Sequence, residues 1–169
     1  MGLGAIMTAG LGGAGRVIAI DLDDNRLATA KELGATDTVN AGDPDLVQKV
    51  KDLTDGLGVE VAVEAVGIPQ TFETCLAITR PHGTVANAGV HGKPVELPLT
   101  ELWISSIAIT TGLVDGYSIE RLLKMVQSSK LEAKKMATHR FMMDQFMEAY
   151  DLFSNAAEHN AVKLVITRD

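Results

Sequence analysis

GLGGAGRVIAIDLD, residues 10–23, joins the glycine spacing G-x-G-x-x-G to an apolar segment typical of a β-strand. A phosphate-binding loop with this spacing follows a strand and opens a helix, because the pyrophosphate sits on the helix N-terminus. Here the order is reversed, since a short apolar helix is predicted over Gly2 to about Ala9 and a strand over about Val17–Ile20. We therefore predict that residues 10–15 form a turn and are not a cofactor loop.

Beyond this turn, predicted strands alternate with predicted helices. Asp23 or Asp24 can cap a helix that Gly34 stops, and Asp43-Pro44 can open the next one. The predicted strands are 38–39, 59–65, 84–88 and 104–110, and the predicted helices include 25–33 and 69–79. Such alternation over short turns indicates an α/β fold, a doubly wound parallel sheet with helices on both faces. After about residue 112 a helix-strand-helix-strand extension follows, ending in VKLVIT at 162–167.

The composition limits the classes of function. With 169 residues and 46% hydrophobic residues, the chain suits one domain with a packed core. Its net charge of −7 argues against a nucleic-acid partner or an anionic membrane surface. It has no apolar run of about 18 residues that would span a membrane. The single cysteine, Cys75, cannot form an internal disulfide and suits a reducing compartment, so we expect a cytoplasmic location.

Four separated stretches carry a family resemblance. They are VIAIDLDDNRLATAKELGATDTVN (17–40), VEVAVEAVG (59–67), GTVANAGVHG (83–92) and ITTGLVDG (109–116). In this order they resemble the zinc-dependent medium-chain alcohol dehydrogenases, and the resemblance covers essentially the whole chain. It implies a Rossmann-like NAD-binding domain over 1–111, followed at 112–169 by a segment that in the family returns to the catalytic domain.

The resemblance also implies that part of the family's fold lies outside this sequence. In the family a first strand and a glycine loop precede the first helix, so Gly2 would correspond to the third glycine of the fingerprint. In the strand order 3-2-1-4-5-6, that first strand lies at the centre, between Val17–Ile20 and Val59–Ala65. Because unpaired backbone groups inside a core are costly, we expect these two strands to close up or another strand to insert between them. Val162–Thr167 is the favoured candidate for insertion.

Asp21 is the strongest candidate for contact with a cofactor. A carboxylate at the end of the family's second strand accepts hydrogen bonds from ribose hydroxyls and repels a 2′-phosphate, which favours NAD over NADP. The alternative is a helix cap or a solvated loop acid. Arg26 matches a basic family position that reaches the adenosine ribose, and its alternative is an exposed helix charge.

Further candidates follow the ends of later strands, where carboxyl ends form the cofactor crevice of such folds. Small side chains at 65–67 and 88–90 would let the nicotinamide half lie against backbone, although tight strand-to-turn geometry favours the same residues. By resemblance, residues 110–113 flank the nicotinamide and Lys163 lies near the pyrophosphate; the alternative for that lysine is protection of a sheet edge. These candidates are Ala65, Val66, Gly67, Ala88, Gly89, Val90, Thr110, Thr111, Leu113 and Lys163.

No catalytic residue and no metal ligand is predicted. The family's zinc ligands lie upstream of these stretches, and Cys75 has no second cysteine beside it. The histidines are scattered without metal-ligating spacing, at His82, His91, His139 and His159. Without zinc to polarise a carbinol oxygen, hydride transfer lacks its electrophile. Glu64, within VEVAVEAVG, is assigned no catalytic role.

The sequence thus predicts the NAD(H)-binding portion of a zinc-dependent alcohol dehydrogenase, catalytically silent as this chain and with weak or no affinity for NAD. Two alternatives stay open, a structural or oligomerisation module without nucleotide binding and a subunit completed in trans by a separate zinc-bearing catalytic chain. In the family the sixth strand pairs with its twin across a two-fold axis. We therefore expect a homodimer through residues 104–110, which are apolar and uncharged.

Overall fold

Parallel strands and the helices between them make up most of the computed structural model, which describes residues 1–113 and 116–168. Val114 and Asp115, from the stretch ITTGLVDG, lie outside the described residues. The helices are α1 (Gly2–Ala9), α2 (Asp24–Glu32), α3 (Leu46–Asp52), α4 (Pro69–Ile78), α5 (Leu99–Leu102), α6 (Ile119–Gln127) and α7 (Phe146–Ser154). The strands are β1 (Ile18–Asp21), β2 (Asp37–Asn40), β3 (Val59–Glu64), β4 (Thr79–Asn87), β5 (Ala108–Thr111), β6 (Ala137–Met142) and β7 (Lys163–Thr167).

The strands of the described residues form parallel sheets in the orders β1-β2, β3-β4-β5 and β6-β7. In the three-stranded sheet Glu64 lies opposite Asn87, and Asn87 lies opposite Thr111, so these strands end at one level. Helices connect the successive strands, as the alternating pattern predicts. The α/β fold class with parallel sheets is confirmed, and α6, β6, α7 and β7 form the expected helix-strand-helix-strand extension.

Short-range signals set the helix boundaries. The Asp23 carboxylate caps α2, because its Oδ1 accepts a hydrogen bond from the Asn25 amide at 2.8 Å and from the Arg26 amide at 3.4 Å. Gly34 follows α2 with a φ of +115°, a conformation that residues with a Cβ rarely adopt. Pro69 occupies the first turn of α4, where its missing N–H costs no helical hydrogen bond. These residues keep the connections short.

One hydrophobic core joins the β1-β2 sheet to the β3-β4-β5 sheet, although no strand ladder connects them. Its buried residues come from β2, α3, β3, α4 and β4, with Ile18 and Ile20 of β1 packed against them. Val50 and Val85 are fully buried at 0% exposure, so they mark the centre of this core. The buried members are Val39, Leu46, Val50, Ala62, Phe72, Cys75, Leu76, Ile78 and Val85.

The glycine stretch at 10–15 is a connection, as predicted from its position. Gly10–Gly12 form a 3₁₀ turn directly after α1, and Gly13 follows with a φ of +89°. Leu3 and Ile6 of α1 pack on a second core cluster formed by β1, α2 and the residues after it. The stretch therefore follows the C-terminal end of a helix, where carbonyls rather than amides point outward, and this end of a helix disfavours an anion.

The strand predicted at 104–110 begins later, at Ala108. A one-turn helix, α5, occupies Leu99–Leu102, and the Ser105 amide continues it by donating to the Leu102 carbonyl at 3.0 Å. Ser106 then adopts a φ of +51°, which is incompatible with an extended strand. Ile107, at the end of this turn, packs against the core. Only Ala108–Thr111 pair with β4, so the first part of the prediction is wrong.

The expectation for the sheet centre is also wrong. Residues 163–167 form β7, which pairs with β6 and places Ile166 opposite Phe141, so this strand does not insert between β1 and β3. Closure does not occur either, because β1 and β3 belong to different sheets. The shared core holds the two sheets together through side chains, while the facing edges of β1 and β3 have no strand partner among the described residues. Val61 and Val63 of β3 are 55% and 45% exposed, because they lie on the face of the strand opposite the buried Ala62 and Glu64.

None of the helices in the part of the chain that the structure describes combines the length and the apolar character that a membrane span requires.

Val85→Ala tests whether the shared core carries the stability of the fold. Removing two methyl groups from a fully buried position leaves a cavity, so we expect the free energy of unfolding to fall by about 2 kcal/mol. Urea denaturation monitored by circular dichroism measures this change. Val61→Ala, at a 55% exposed position of β3, is the matched control and should change the stability by less than about 0.5 kcal/mol. Equal losses for the two variants would contradict the description of the core.

Candidate cofactor-binding site

The carboxyl ends of β3, β4 and β5 meet at one edge of their sheet. Because the strands are parallel and end level with one another, the segments 65–67 and 88–90, which follow β3 and β4, emerge beside the segment 110–113, which includes the last two residues of β5. Their apolar side chains face outward, since Val66 is 64%, Val90 is 85% and Leu113 is 93% exposed. The structure therefore brings together the candidates predicted after these three strands and leaves their surface open.

Two glycines hold the first two of these segments against each other. Gly67 has a φ of +91°, and a Cβ on it would lie 2.7 Å from the carbonyl carbon of Val90. A Cβ on Gly89 would overlap the Gly67 amide nitrogen and the Glu64 carboxylate. No side chain fits at either position without displacing backbone. The two loops therefore form one unit, in which neither can move far without the other.

Glu64 lies beneath both loops and links them by hydrogen bonds. Its fully buried carboxylate accepts through Oε1 from the amides of Val66 and Gly67, each at 2.9 Å, and from the Thr71 hydroxyl at 2.6 Å. Its main-chain carbonyl accepts from the amides of Ala88 at 2.8 Å and Gly89 at 3.1 Å. One residue at the end of β3 thus fixes the loop after its own strand and the loop after β4.

His91 completes this cluster from the far end of the second loop. Its Nε2 lies 2.8 Å from Asn87 Oδ1 and 3.4 Å from Glu64 Oε2, and its ring packs edge-on against Phe72 with 6.0 Å between centroids. Glu64 Oε2 and His91 Nδ1 are buried without a hydrogen-bond partner among the described residues. Neither Glu64 nor His91 was a predicted site residue, because the two side chains meet only through the pairing of β3 with β4.

The environment of Glu64 favours its charged form. Burial is the largest influence and raises the pKa of the carboxyl group, but hydrogen bonds from Thr71, Gly67 and Val66 and the neighbouring His91 outweigh it. The pKa of Glu64 is therefore below its ordinary value. Burial, assisted by the Glu64 charge, raises the pKa of the Cys75 thiol to about 11. Cys75 is thus protonated at neutral pH and is a poor nucleophile or metal ligand.

Asp21 ends β1 and leaves one carboxylate oxygen accessible. Its Oδ1 accepts from the Asp23 amide at 3.0 Å, while its Oδ2 lies 3.9 Å from Nη1 of Arg26. The side chain is 37% exposed. The helix cap that the sequence allowed for several acids is Asp23, so Asp21 is not needed for that purpose. Asp21 and Arg26 therefore lie together beside the N-terminal end of α2.

Gly2 begins α1 close to the end of β3. A Cβ on Gly2 would lie 3.8 Å from the Cβ of Ala65, which is ordinary van der Waals contact. The N-terminal turn of α1 has no side-chain cap, so its amides have no side-chain acceptor. The candidate glycine is thus placed next to the loop after β3.

Lys163 lies apart from the other candidates. It is an exposed residue of β7, opposite Ala137 of β6, in a sheet that does not include β1 to β5. Val162, which precedes it, lines a shallow cleft together with Asp23 and Arg26. The structure therefore brings the chain near Lys163 to the N-terminal part of α2, while Lys163 itself belongs to a different sheet from β3, β4 and β5.

The residues do not fit a zinc site. Within residues 1–113 and 116–168, no group of three or more histidine, cysteine, aspartate or glutamate side chains is placed to hold a metal ion. The buried Cys75 thiol, with its raised pKa, does not supply a thiolate ligand either. No catalytic step through zinc can be derived from these side chains.

Comparison with known proteins agrees with this architecture. The model of the zinc-binding dehydrogenase family matches residues 1–128. An alcohol dehydrogenase from Cupriavidus necator is 35% identical over 159 residues, covering 92% of this chain and 43% of that protein. An NADP-dependent isopropanol dehydrogenase from Thermoanaerobacter brockii is 35% identical over 162 residues, covering 92% of this chain and 46% of that protein.

The comparison of structures gives the same result. The zinc-dependent alcohol dehydrogenase 2 from Streptococcus pneumonia, in its apo form, has a TM-score of 0.94 and 49% identity, covering 99% of this chain and 48% of that one. The chain belongs to the zinc-binding dehydrogenase family, and the resemblance to zinc-dependent alcohol dehydrogenases is confirmed. It spans about half the length of the relatives it matches, and corresponds to their C-terminal part.

Glu64→Gln tests the buried carboxylate through the pH dependence of stability. Because the pKa of Glu64 is lowered on folding, its ionised form stabilises the fold above about pH 5, and this contribution is lost as the pH falls through the folded-state pKa. We expect the variant to be about 1–2 kcal/mol less stable at pH 7, with the difference shrinking toward pH 3.

Urea unfolding of both proteins at several pH values measures this difference. Glu60→Gln is the matched control on the same strand, because the Glu60 side chain is 69% exposed and pairs with Arg80 at 3.1 Å. It should change the stability by less than about 0.5 kcal/mol throughout. A constant difference between wild type and Glu64→Gln across the pH range would contradict the assignment.

Proposed function

We propose that this chain is the NAD(H)-binding portion of a zinc-dependent alcohol dehydrogenase, an oxidoreductase that acts on CH–OH donors. The observation that supports the proposal most is the level ending of β3, β4 and β5, which collects three exposed loops at one sheet edge. Open α/β sheets bind their ligands outside the carboxyl ends of the strands. Membership of the zinc-binding dehydrogenase family supports the same reading of that edge.

In this proposal Asp21 selects the cofactor. Its Oδ2 makes no hydrogen bond to the described protein and accepts from the adenosine ribose hydroxyls, and its charge repels a 2′-phosphate. Arg26 lies within reach of the same ribose, and its guanidinium is half exposed, so the 3.9 Å approach to Asp21 neutralises that charge only weakly. One relative is named an NADP-dependent enzyme, so the preference between NAD and NADP has to be measured for this chain.

The other candidate residues bind the pyrophosphate and the nicotinamide half of the cofactor. The amides at the start of α1, from Gly2 onward, face the pyrophosphate, as uncapped helix N-termini favour anions. The loops at 65–67 and 88–90 and the segment 110–113 receive the nicotinamide half against backbone and small side chains. Lys163 is assigned to the pyrophosphate by family resemblance alone. We expect the affinity for NAD to be weak but measurable in this chain by itself.

We also propose that the chain is catalytically silent by itself. The described residues provide no zinc ligands, so no Lewis acid can polarise an alcohol oxygen from this chain alone. The edges of β1 and β3 that lack a strand partner among the described residues favour completion by a further strand. The zinc-bearing catalytic part would be supplied in the same polypeptide or in trans. If no dinucleotide binds, the alternative is that the chain is a structural or oligomerisation module. The proposed location is the cytoplasm, with no nucleic-acid partner.

Titration with NADH and NADPH, followed by fluorescence and calorimetry, tests the proposed cofactor. We expect NADH to bind more tightly than NADPH, and Asp21→Asn to reduce this preference because the amide keeps the shape of the side chain but removes the repulsion. Asp151→Asn makes the same charge change at an exposed position on α7 and should leave the preference unchanged. Equal binding of the two cofactors to the wild type would overturn the assignment of Asp21, and no binding of either would overturn the proposed function.

The expected absence of turnover is checked with simple alcohols and NAD, with and without added zinc. NADH formation should stay at background, because the described residues include no group of side chains that would hold a zinc ion to activate the alcohol oxygen. A full-length zinc-dependent alcohol dehydrogenase serves as the positive control. Activity that follows the chain at constant specific activity through every purification step would show that the proposal of catalytic silence is wrong.

The proposed homodimer pairs the free edge of β5 with its copy. All four residues of β5 are exposed, and their other edge has no strand partner among the described residues. Ile109→Lys, at a 37% exposed position, should shift the mass measured by light scattering from dimer to monomer, because each copy would bring a charged side chain into the paired strands. Leu57→Lys, at a 62% exposed turn, should leave the mass unchanged. A monomeric wild type at high concentration would contradict the dimer.

A further inference from the structure

The cluster beneath the two glycine loops contains a histidine that the proposed cofactor contacts leave unexplained. His91 directly follows the loop at 88–90, and its side chain is 17% exposed. Its imidazole turns back to Asn87 at the end of β4 and to Glu64 at the end of β3. One side chain therefore spans the ends of two neighbouring strands.

Asn87 closes the second loop from both sides. Its Nδ2 donates to the Gly89 carbonyl at 3.0 Å, so its Oδ1 faces His91 and accepts from His91 Nε2 at 2.8 Å. In this assignment Nε2 carries the proton and Nδ1 is the unprotonated nitrogen, which agrees with Nδ1 having no partner among the described residues. The Asn87 side chain thus holds the segment from Ala88 to His91 at two points, the carbonyl of Gly89 and the imidazole of His91.

Glu64 connects this loop to the first one. Its Oε1 is saturated by the amides of the loop after β3 and by Thr71, which leaves Oε2 to face His91 Nε2 at 3.4 Å. Oε2 is also the atom that a Cβ on Gly89 would overlap. The carboxylate therefore lies against the second loop through two of its residues, Gly89 and His91.

We propose that Glu64 and His91 are positioning residues, in which the imidazole, through its Nε2, holds the loop at 88–91 against the loop at 65–67 and so sets the surface offered to the nicotinamide half of the cofactor. Neither residue needs to touch the cofactor for this purpose. The identity of the ligand rests on the proposed function, whereas the coupling of the two loops rests only on the contacts described above.

Two substitutions of His91 distinguish the role of Nε2 from that of Nδ1. The amide nitrogen of glutamine takes the place of histidine Nε2, whereas that of asparagine takes the place of Nδ1. Hydrogen exchange on the 169-residue chain without cofactor should therefore leave protection of the Ala88 and Gly89 amides unchanged in His91→Gln. In His91→Asn it should fall roughly fivefold, the effect of losing one net hydrogen bond. His159→Gln, at an exposed histidine, is the control for global stability.

Binding of NADH and of ADP-ribose then distinguishes positioning from general stability. His91→Asn should weaken NADH by a similar factor of roughly five and leave ADP-ribose unchanged, because ADP-ribose lacks the nicotinamide, and His91→Gln should restore NADH binding. Equal weakening of both ligands, or unchanged loop protection in His91→Asn, would overturn the proposal. If neither ligand binds the wild type, the proposed function fails, and the exchange comparison alone decides whether His91 positions the loop.

Discussion

The approach of Gly67 to the backbone around Gly89 is the constraint on which the candidate site depends. At this contact two loops from neighbouring strands touch through backbone alone, since a Cβ on either glycine would overlap its neighbours. The close approach brings the amides of the second loop within reach of the Glu64 carbonyl and keeps the Glu64 carboxylate away from water. Burying a carboxylate is unfavourable unless its oxygens are hydrogen-bonded, and the three donors on Oε1 meet that need. Packing and charge thus stabilise the same arrangement.

The core shows how two sheets can act as one body without a common ladder. Side chains of α3 and α4 cover β2, β3 and β4 as a single cluster, and Ile18 and Ile20 extend it to β1. Dispersion and burial do not require hydrogen-bonded neighbours, so this face packs continuously across the unpaired edges. The level ending of β3, β4 and β5 is set separately, by backbone pairing within one sheet. Side-chain packing therefore holds the two sheets together, whereas backbone pairing within one sheet aligns the loops.

The parts of the structure that the sequence predicted are those with local causes. Apolar periodicity and capping residues such as Asp23 and Gly34 are contained in a few neighbouring positions, so the alternating elements could be derived from them. The start of β5 could not, because the positive φ of Ser106 depends on the turn that precedes it. The partner of β7 could not either, since Phe141 and Ile166 are far apart in the chain. Glu64 and His91 meet only because β3 and β4 pair in one register, which no short stretch of sequence contains.

β1 and β3 each have an edge without a strand partner among the described residues. Whether the chain stays dispersed in solution therefore depends on its net charge. Exposed edges present backbone groups that pair with other strands, and Val61 and Val63 add apolar surface beside one of these edges. At neutral pH the charge of −7 keeps copies apart, over a range of about 8 Å at physiological salt. High salt shortens this range, and a pH near the isoelectric point brings the net charge close to zero, because enough carboxylates are then protonated to balance the basic side chains. Under either condition the edges can act as templates for aggregation, so the colloidal stability of this chain follows its charge more closely than its core.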